Sequence, residues 1–456
     1  MKTGYLLLSL MVITIGCNNK NSKPAYNNRL EDAISAINKD SVLYTAVKQG
    51  SFVSVVRPQN PGRTITVGGD KADIRGYTSQ AIQTAIDALH NLGGGTVKIL
   101  PGNYDVIAPV KLFSNIALIG SGSATVLKKS KGARTRFIVD AGYGELQLTV
   151  ADASGFSPEM GIQIFDSESK NAWDVTTAVI TAINGNIIHI DNYLIRDYIA
   201  GNEGTVSNAC SVISAVEAEN VTIADLTIDG NRESNDALNG CRGGGIYLHK
   251  VHGALVENVT VKKFNNDGIS WQITEDVTVR NCEISGCANA GLHPGTGSPR
   301  TLIEGNNSHD NDNFGLFVCW RVRNGIVRNN LFVHNGQNGI NTGHMDTDML
   351  YEKNQISDNG SDGVTLRNES RPNAPHRSVF KSNLVENNGW RNGGYGFSFK
   401  SPAEGVILED NTIQNTKGNS QKTAVFIDKN GLPVMLRNNK ISGHPEVETV
   451  AEKIKM

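Results

Sequence analysis

In the second half of the chain, short runs of residues alternate between apolar and polar. Gly268-Ile269-Ser270-Trp271-Gln272 is followed 23 residues later by Gly291-Leu292-His293-Pro294-Gly295, and the same grammar recurs after Gly245, Gly315, Gly339, Gly363 and Gly396. The first and third positions after each glycine are almost all apolar: Ile246/Leu248, Ile269/Trp271, Leu292/Pro294, Leu316/Val318, Ile340/Thr342, Val364/Leu366 and Phe397/Phe399. A period of two marks strands with one buried face, so these positions are predicted to point inward and stack on one another. The second and fourth positions, which include Ser270, Gln272, His293, Arg367 and Lys400, are predicted to point outward and to be free to carry a site.

An Asn ahead of successive turns sets the larger rhythm. Asn258, Asn281, Asn307, Asn330, Asn354, Asn383, Asn411 and Asn439 follow one another at intervals of 23 to 29 residues. A near-constant period in this range signals stacked units, none of which buries its apolar face alone. No helix-length apolar stripe separates the strands, which disfavours an alternating strand–helix fold. The pattern predicts parallel strands coiling around one axis, with the Asn residues as a structural ladder at the turns.

Ser79–Leu92 in "SQAIQTAIDALHNLGGGTVKILPGNYDV" spaces its apolar residues as a helix does, and three glycines and a strand follow it. With the repeat grammar, this opening segment resembles that of the pectate-lyase and polygalacturonase superfamily over residues 65–445. The resemblance implies an all-β fold, a single-stranded right-handed parallel β-helix with an N-terminal capping helix that shields the open strand edges. Residues 137–206 break the rhythm. They read as a β-rich insertion containing a hairpin at Asn184-Gly185-Asn186. The expected layout is a signal over 1–17, a tether over 18–60, the cap and first coils over 61–136, the insertion, coils over 207–445 and a charged tail over 446–456.

The N-terminus is a basic start, an apolar run too short to stay as a membrane span, and then Cys17. It resembles a bacterial lipoprotein signal with Cys17 as the lipidated residue, although Thr14 stands where that family has Leu. This implies export and a lipid anchor on the outer membrane, facing the periplasm or the surface. The five remaining cysteines are an odd count spread through periodic apolar segments, which argues against a disulfide framework, and they show no zinc spacing; buried thiols are expected, with a Cys282–Cys287 bridge as the lesser alternative. A net charge of −2 provides no global field for nucleic acid, and none is expected as a partner.

The outward positions change the picture locally. His249, Gln272, His293, Arg367 and Lys400 stack on successive coils, and the turns beyond two of the strands add Trp320, Arg321, Arg323, His344 and Asp346. Cations and imidazoles outnumber acids there, which suits an anionic polymer such as a uronate polysaccharide. β-Elimination needs a base for the proton beside the carboxylate and cations for the developing charge. His293 or His344 fits the base, with Arg321 aiding the charge. Arg323, Gln272, His249, Arg367, Lys400, Trp320 and Asp346 fit substrate binding. No cofactor is expected, because no dense acidic cluster offers a calcium site. Asp267, directly before a strand glycine, reads either as turn chemistry or as a catalytic acid.

The order Asp267, His293, then Arg321 and Arg323 is similar to the polygalacturonase layout of Asp, His and an Arg-x-Lys pair. Here a single Asp replaces an adjacent pair, and the Gly-His-Gly element is absent. A polysaccharide lyase is therefore expected ahead of a polygalacturonase-like hydrolase. A non-catalytic glycan-binding β-helix and a uronate epimerase are the further alternatives.

Overall fold

The computed structural model describes residues 62–449, apart from residues 171, 239, 392 and 419. The signal, Cys17, the tether and the extreme C-terminus lie outside the described residues. The chain winds into a right-handed parallel β-helix with three long parallel sheets of thirteen, eleven and eleven strands. One coil gives one strand to each. Ile269–Gln272, Glu275–Arg280 and Glu283–Ser285 make such a turn before the chain returns at Ala290–Gly295. The register is in phase from coil to coil, with Ile246 beside Ile269 and Ile269 beside Leu292.

The inward prediction holds. Ile246, Leu248, Ile269, Trp271, Leu292, Leu316, Val318, Ile340, Val364, Leu366, Phe397 and Phe399 all belong to one continuous buried core. Stacking like on like removes apolar surface from water along the whole axis, the main favourable term for such a solenoid.

At the N-terminal end, helix α1 (Ser79–Asn91) starts at Thr78, whose Oγ1 accepts from the Ala81 N–H at 3.3 Å. Its buried Ala81, Ile82, Ala85, Ile86 and Leu89 lie on one face against the coil. Residues 134–207 leave the coil to form a six-stranded antiparallel sheet with a separate small core around Ile162, Ile164, Ile180 and Ile188. Strands Thr176–Asn184 and Ile187–Ile190 pair antiparallel through a tight turn, with Gly185 at φ 60°.

The Asn repeat needs a correction of register. The ladder runs through Asn306, Asn330, Asn354, Asn383, Asn411 and Asn439, with each Nδ2 donating to the next Oδ1 at 2.9–3.0 Å. Asn307 lies one place beyond it. Asn258 and Asn281 instead hold left-handed turns at φ 53°, a conformation Asn tolerates better than most side chains. A second ladder, Asn311–Asn335–Asn359–Asn388–Gln421, was hidden by its place five residues further on, where Gln ends the series. Cys282 and Cys287 are free thiols and form no bridge; burial pushes both up to about 12.

Candidate active site

The site lies on the outer face of the eleven-stranded sheet that holds Ile246–His249, Ile269–Gln272 and Ala290–Gly295. The alternation places Tyr247, Ser270 and His293 side by side there in consecutive coils. These residues face away from the core, yet they are not open to solvent. Ser270 and Gln272 are fully buried, and His293 is only 3% exposed. The cause is close lateral packing. Long side chains lie along the face and cover the glycine of a neighbouring coil. A Cβ on Gly295 would sit 2.2 Å from the Gln272 amide, and one on Gly343 would sit 2.5 Å from the Arg367 Nε. Outward thus means away from the core rather than exposed.

His293 and Asp267 meet at the centre. His293 Nδ1 lies 2.6 Å from Asp267 Oδ2, and the carboxylate is fully buried. A carboxylate only accepts, so Nδ1 carries the proton. The other oxygen, Oδ1, accepts from Asn289 Nδ2 at 2.8 Å and from the Ala290 N–H at 3.1 Å. Asp267 therefore does the turn's work and orients the imidazole at once. Burial opposes charge on His293, but the carboxylate beside it outweighs burial and raises the ring to about 10. Nε2 is buried and lacks a hydrogen-bond partner. The Cys319 thiol beside the ring adds to the upward shift. Cys319 is itself pushed up by the neighbouring Cys241 sulfur and by burial.

Next to the pair, the Phe317 ring meets His293 edge-on, with centroids 5.1 Å apart. The Arg367 guanidinium covers Phe317 from 4.8 Å. Arg367 Nη1 donates to Asn341 Oδ1 at 2.6 Å and to the Val318 carbonyl at 2.9 Å. Its Nη2 lies 3.4 Å from Asp346 Oδ2.

A second cluster rims the face. Trp320, 48% exposed, stacks on His344 with centroids 4.3 Å apart, and Arg321 lies over the same indole at 5.7 Å. His344 Nδ1 is 3.0 Å from Glu369 Oε2. Among the described residues, Arg321 and Arg323 form no ion pair, and Arg323 is exposed. This leaves both cations available to an anionic ligand.

Like Arg367, three more expected ligand contacts have partners within the protein. Asp346 is fully buried and ties its own turn together by accepting from the Gly343 N–H at 2.7 Å and the Val322 N–H at 3.1 Å; burial raises it to about 6. Lys400 reaches Asp362 at 3.3 Å, in the coil position matching Asp267. Gln272 is buried against Gly295. His249 lies two coils before His293, beside Trp173, and is held down to about 4 by burial and by Lys250 and Arg242. Sequence reasoning missed Glu369 and Cys241, which sit in turns without strand periodicity, and Trp173, which arrives from the antiparallel insertion.

Among the described residues, no three His, Cys, Asp or Glu side chains gather to hold a metal ion. Two cavities, of about 300 and 350 Å³, lie further toward the N-terminal end of the same face, and His293 lines neither.

A parallel coil with a polar outer face rimmed by cations defines a right-handed parallel β-helix. Residues 63–293, just over half of the chain, match the family described as rhamnogalacturonase A/epimerase, pectate lyase-like, and the chain belongs to it. Residues 211–380 also match the right-handed β-helix region. Alginate lyase 7 of Azotobacter vinelandii is 24% identical over 274 residues, which are 60% of this chain and 22% of that protein. The chain thus spans about a fifth of that relative's length. The A-module of mannuronan C-5 epimerase AlgE4 from the same organism has a TM-score of 0.52 at 16% identity, covering 82% of this chain and 96% of that one. The polygalacturonase of Erwinia carotovora ssp. carotovora has a TM-score of 0.53 at 13% identity, covering 88% and 99%. Both likenesses show the fold.

Proposed function

We propose that this protein cleaves a uronate-containing polysaccharide by β-elimination, with His293 as the base. The observation that carries this reading is the buried Asp267–His293 pair, whose Nε2 is left without a partner on a face rimmed by Arg321 and Arg323. Asp267 fixes the tautomer with the proton on Nδ1, so the lone pair of the neutral ring sits on Nε2. The raised pKa makes that neutral ring a stronger base, as a carbon-bound proton requires.

In the reaction, Nε2 takes the proton from C5 of a uronate ring. The freed electron pair becomes the C4=C5 double bond, the C4–O4 bond breaks, and the departing oxygen is protonated by water. Negative charge builds on the carboxylate during proton removal, and the Arg321 and Arg323 cations offset it. Trp320 offers an exposed ring face to a sugar. Because Nε2 is covered, substrate entry also requires the side chains over it to move.

The similarity to an alginate lyase supports an acidic polysaccharide as substrate. The likeness in fold to an epimerase module favours a second reading with the same first step, in which C5 is reprotonated from the opposite face. Incubation with a panel of uronate polymers separates the two. Elimination yields an unsaturated product that absorbs in the ultraviolet; epimerisation yields an intact chain with altered C5 configuration by NMR.

A further inference from the structure

We propose that the antiparallel insertion closes one end of the groove, so that this protein takes its polysaccharide by a chain end and seats the terminal sugar in the cavity between insertion and coil. The inference rests on the uronate reading above and adds how the polymer enters.

The cavity, of about 300 Å³, has the coil as its floor, through Lys111, Ser214 and Tyr247, and the insertion as its wall, through Ala178 and Asp191; Arg242 also lines it. That volume is at the small end of ordinary ligand pockets, suited to one or two sugar rings rather than a long polymer. Tyr247 pairs with Ser270, and Ser270 with His293, which puts the cavity two strands from the base. Two strand spacings are about 10 Å, so a short run of sugars spans the gap.

The far end is shut. Val110–Leu112 is the last strand of this sheet. From it, Lys111 Nζ reaches across to Asp191 Oδ2 in the insertion at 2.9 Å. Both partners are anchored. Lys111 exchanges two hydrogen bonds with Gln83 of helix α1, at 2.8 Å through its N–H and 3.1 Å through its carbonyl. Asp191 Oδ1 accepts from the Val179 N–H at 2.6 Å. The ion pair is a bar across the groove that a continuing chain would have to break. Arg242, whose guanidinium lies over Trp173 at 4.7 Å, supplies a cation for the terminal carboxylate.

The test uses full-length protein carrying His293→Ala, to prevent turnover, and defined oligouronates bearing a bulky fluorophore at one end or the other. Tagging one end should weaken binding at least tenfold while tagging the other is tolerated. Adding Lys111→Ala, which removes the bar, should restore binding of the disfavoured isomer. Equal binding of both isomers, or no effect of Lys111→Ala, overturns the inference. In wild-type digests, one short product from the outset supports it. A ladder of sizes at the first few per cent of turnover overturns it while leaving β-elimination intact. Failure to bind any oligouronate removes both readings together.

Discussion

The imidazole of His293 and the carboxylate of Asp267 come from adjacent coils, 26 residues apart in sequence, and meet at 2.6 Å with neither open to solvent. Burying a charge is costly unless a partner compensates, and here the partner is in place before any ligand arrives. The pair is thus in place before any ligand binds.

A pH dependence follows from the shift. The base form of His293 grows as pH rises toward about 10, so kcat/KM should increase across the neutral-to-alkaline range and level off near that value. The same shift has a stability consequence. The folded pKa lies above the ordinary 6.5, so the stabilisation from the charged pair is complete below about 6.5 and is lost as pH rises through about 10. Urea unfolding followed between these limits should show stability falling with pH, and Asp267→Asn should flatten that slope.

Asp267→Asn removes the charge that raises the ring. The alkaline limb of kcat/KM should move to lower pH, and turnover should fall by about two orders of magnitude as the imidazole loses basicity and orientation. An unchanged pH profile in this variant would detach Asp267 from the chemistry. The variant does not separate elimination from hydrolysis, because it disables His293 in either case.

The fold makes a sharper prediction at neighbouring positions. Ile269→Asp buries an unpaired charge inside the coil and should cost several kcal/mol in chemical denaturation. Ser270→Ala removes only an acceptor for Gln272 Nε2 at 3.4 Å, and should cost about 1 kcal/mol or less.

The Asn ladder is testable in the same way. Asn354 accepts from Asn330 and donates to Asn383 and to the Val327 carbonyl, all buried. Asn354→Leu strands these groups, and each should add about 1–3 kcal/mol to the loss of stability. A Tm within error of wild type would mean that the ladder contributes nothing.

Export and a lipid anchor at Cys17 remain proposals about a residue outside the described part. The native protein should partition with membranes and Cys17→Ser should release it; wild type recovered wholly in the soluble fraction removes the anchor.

The coil and its inward core were legible because a two-residue period is written into every strand, from Ile246 to Phe399. His293 and Asp267 were legible as candidates for the same reason, since each sits at a fixed offset from a strand glycine. Their contact was not, because it depends on side-chain reach between coils rather than on period. The openness of this face was not legible at Ser270, Gln272 and His293, which are buried. Alternation says which side of a sheet a residue takes, but not that Gln272 and Arg367 will lie over the glycines of adjacent coils. The Lys400–Asp362 ion pair was not legible, because Asp362 reads in sequence only as a turn residue. The Lys111–Asp191 bar joins two segments with no shared pattern, so only the folded chain shows it.

The most direct test of His293 as the eliminating base is a paired assay of wild type and His293→Ala on uronate polymers, counting unsaturated ends and new reducing ends together. Wild type should give one unsaturated end for each new reducing end, and His293→Ala should be slower by about two to four orders of magnitude. Reducing ends without unsaturation, or full activity in His293→Ala, would contradict the account.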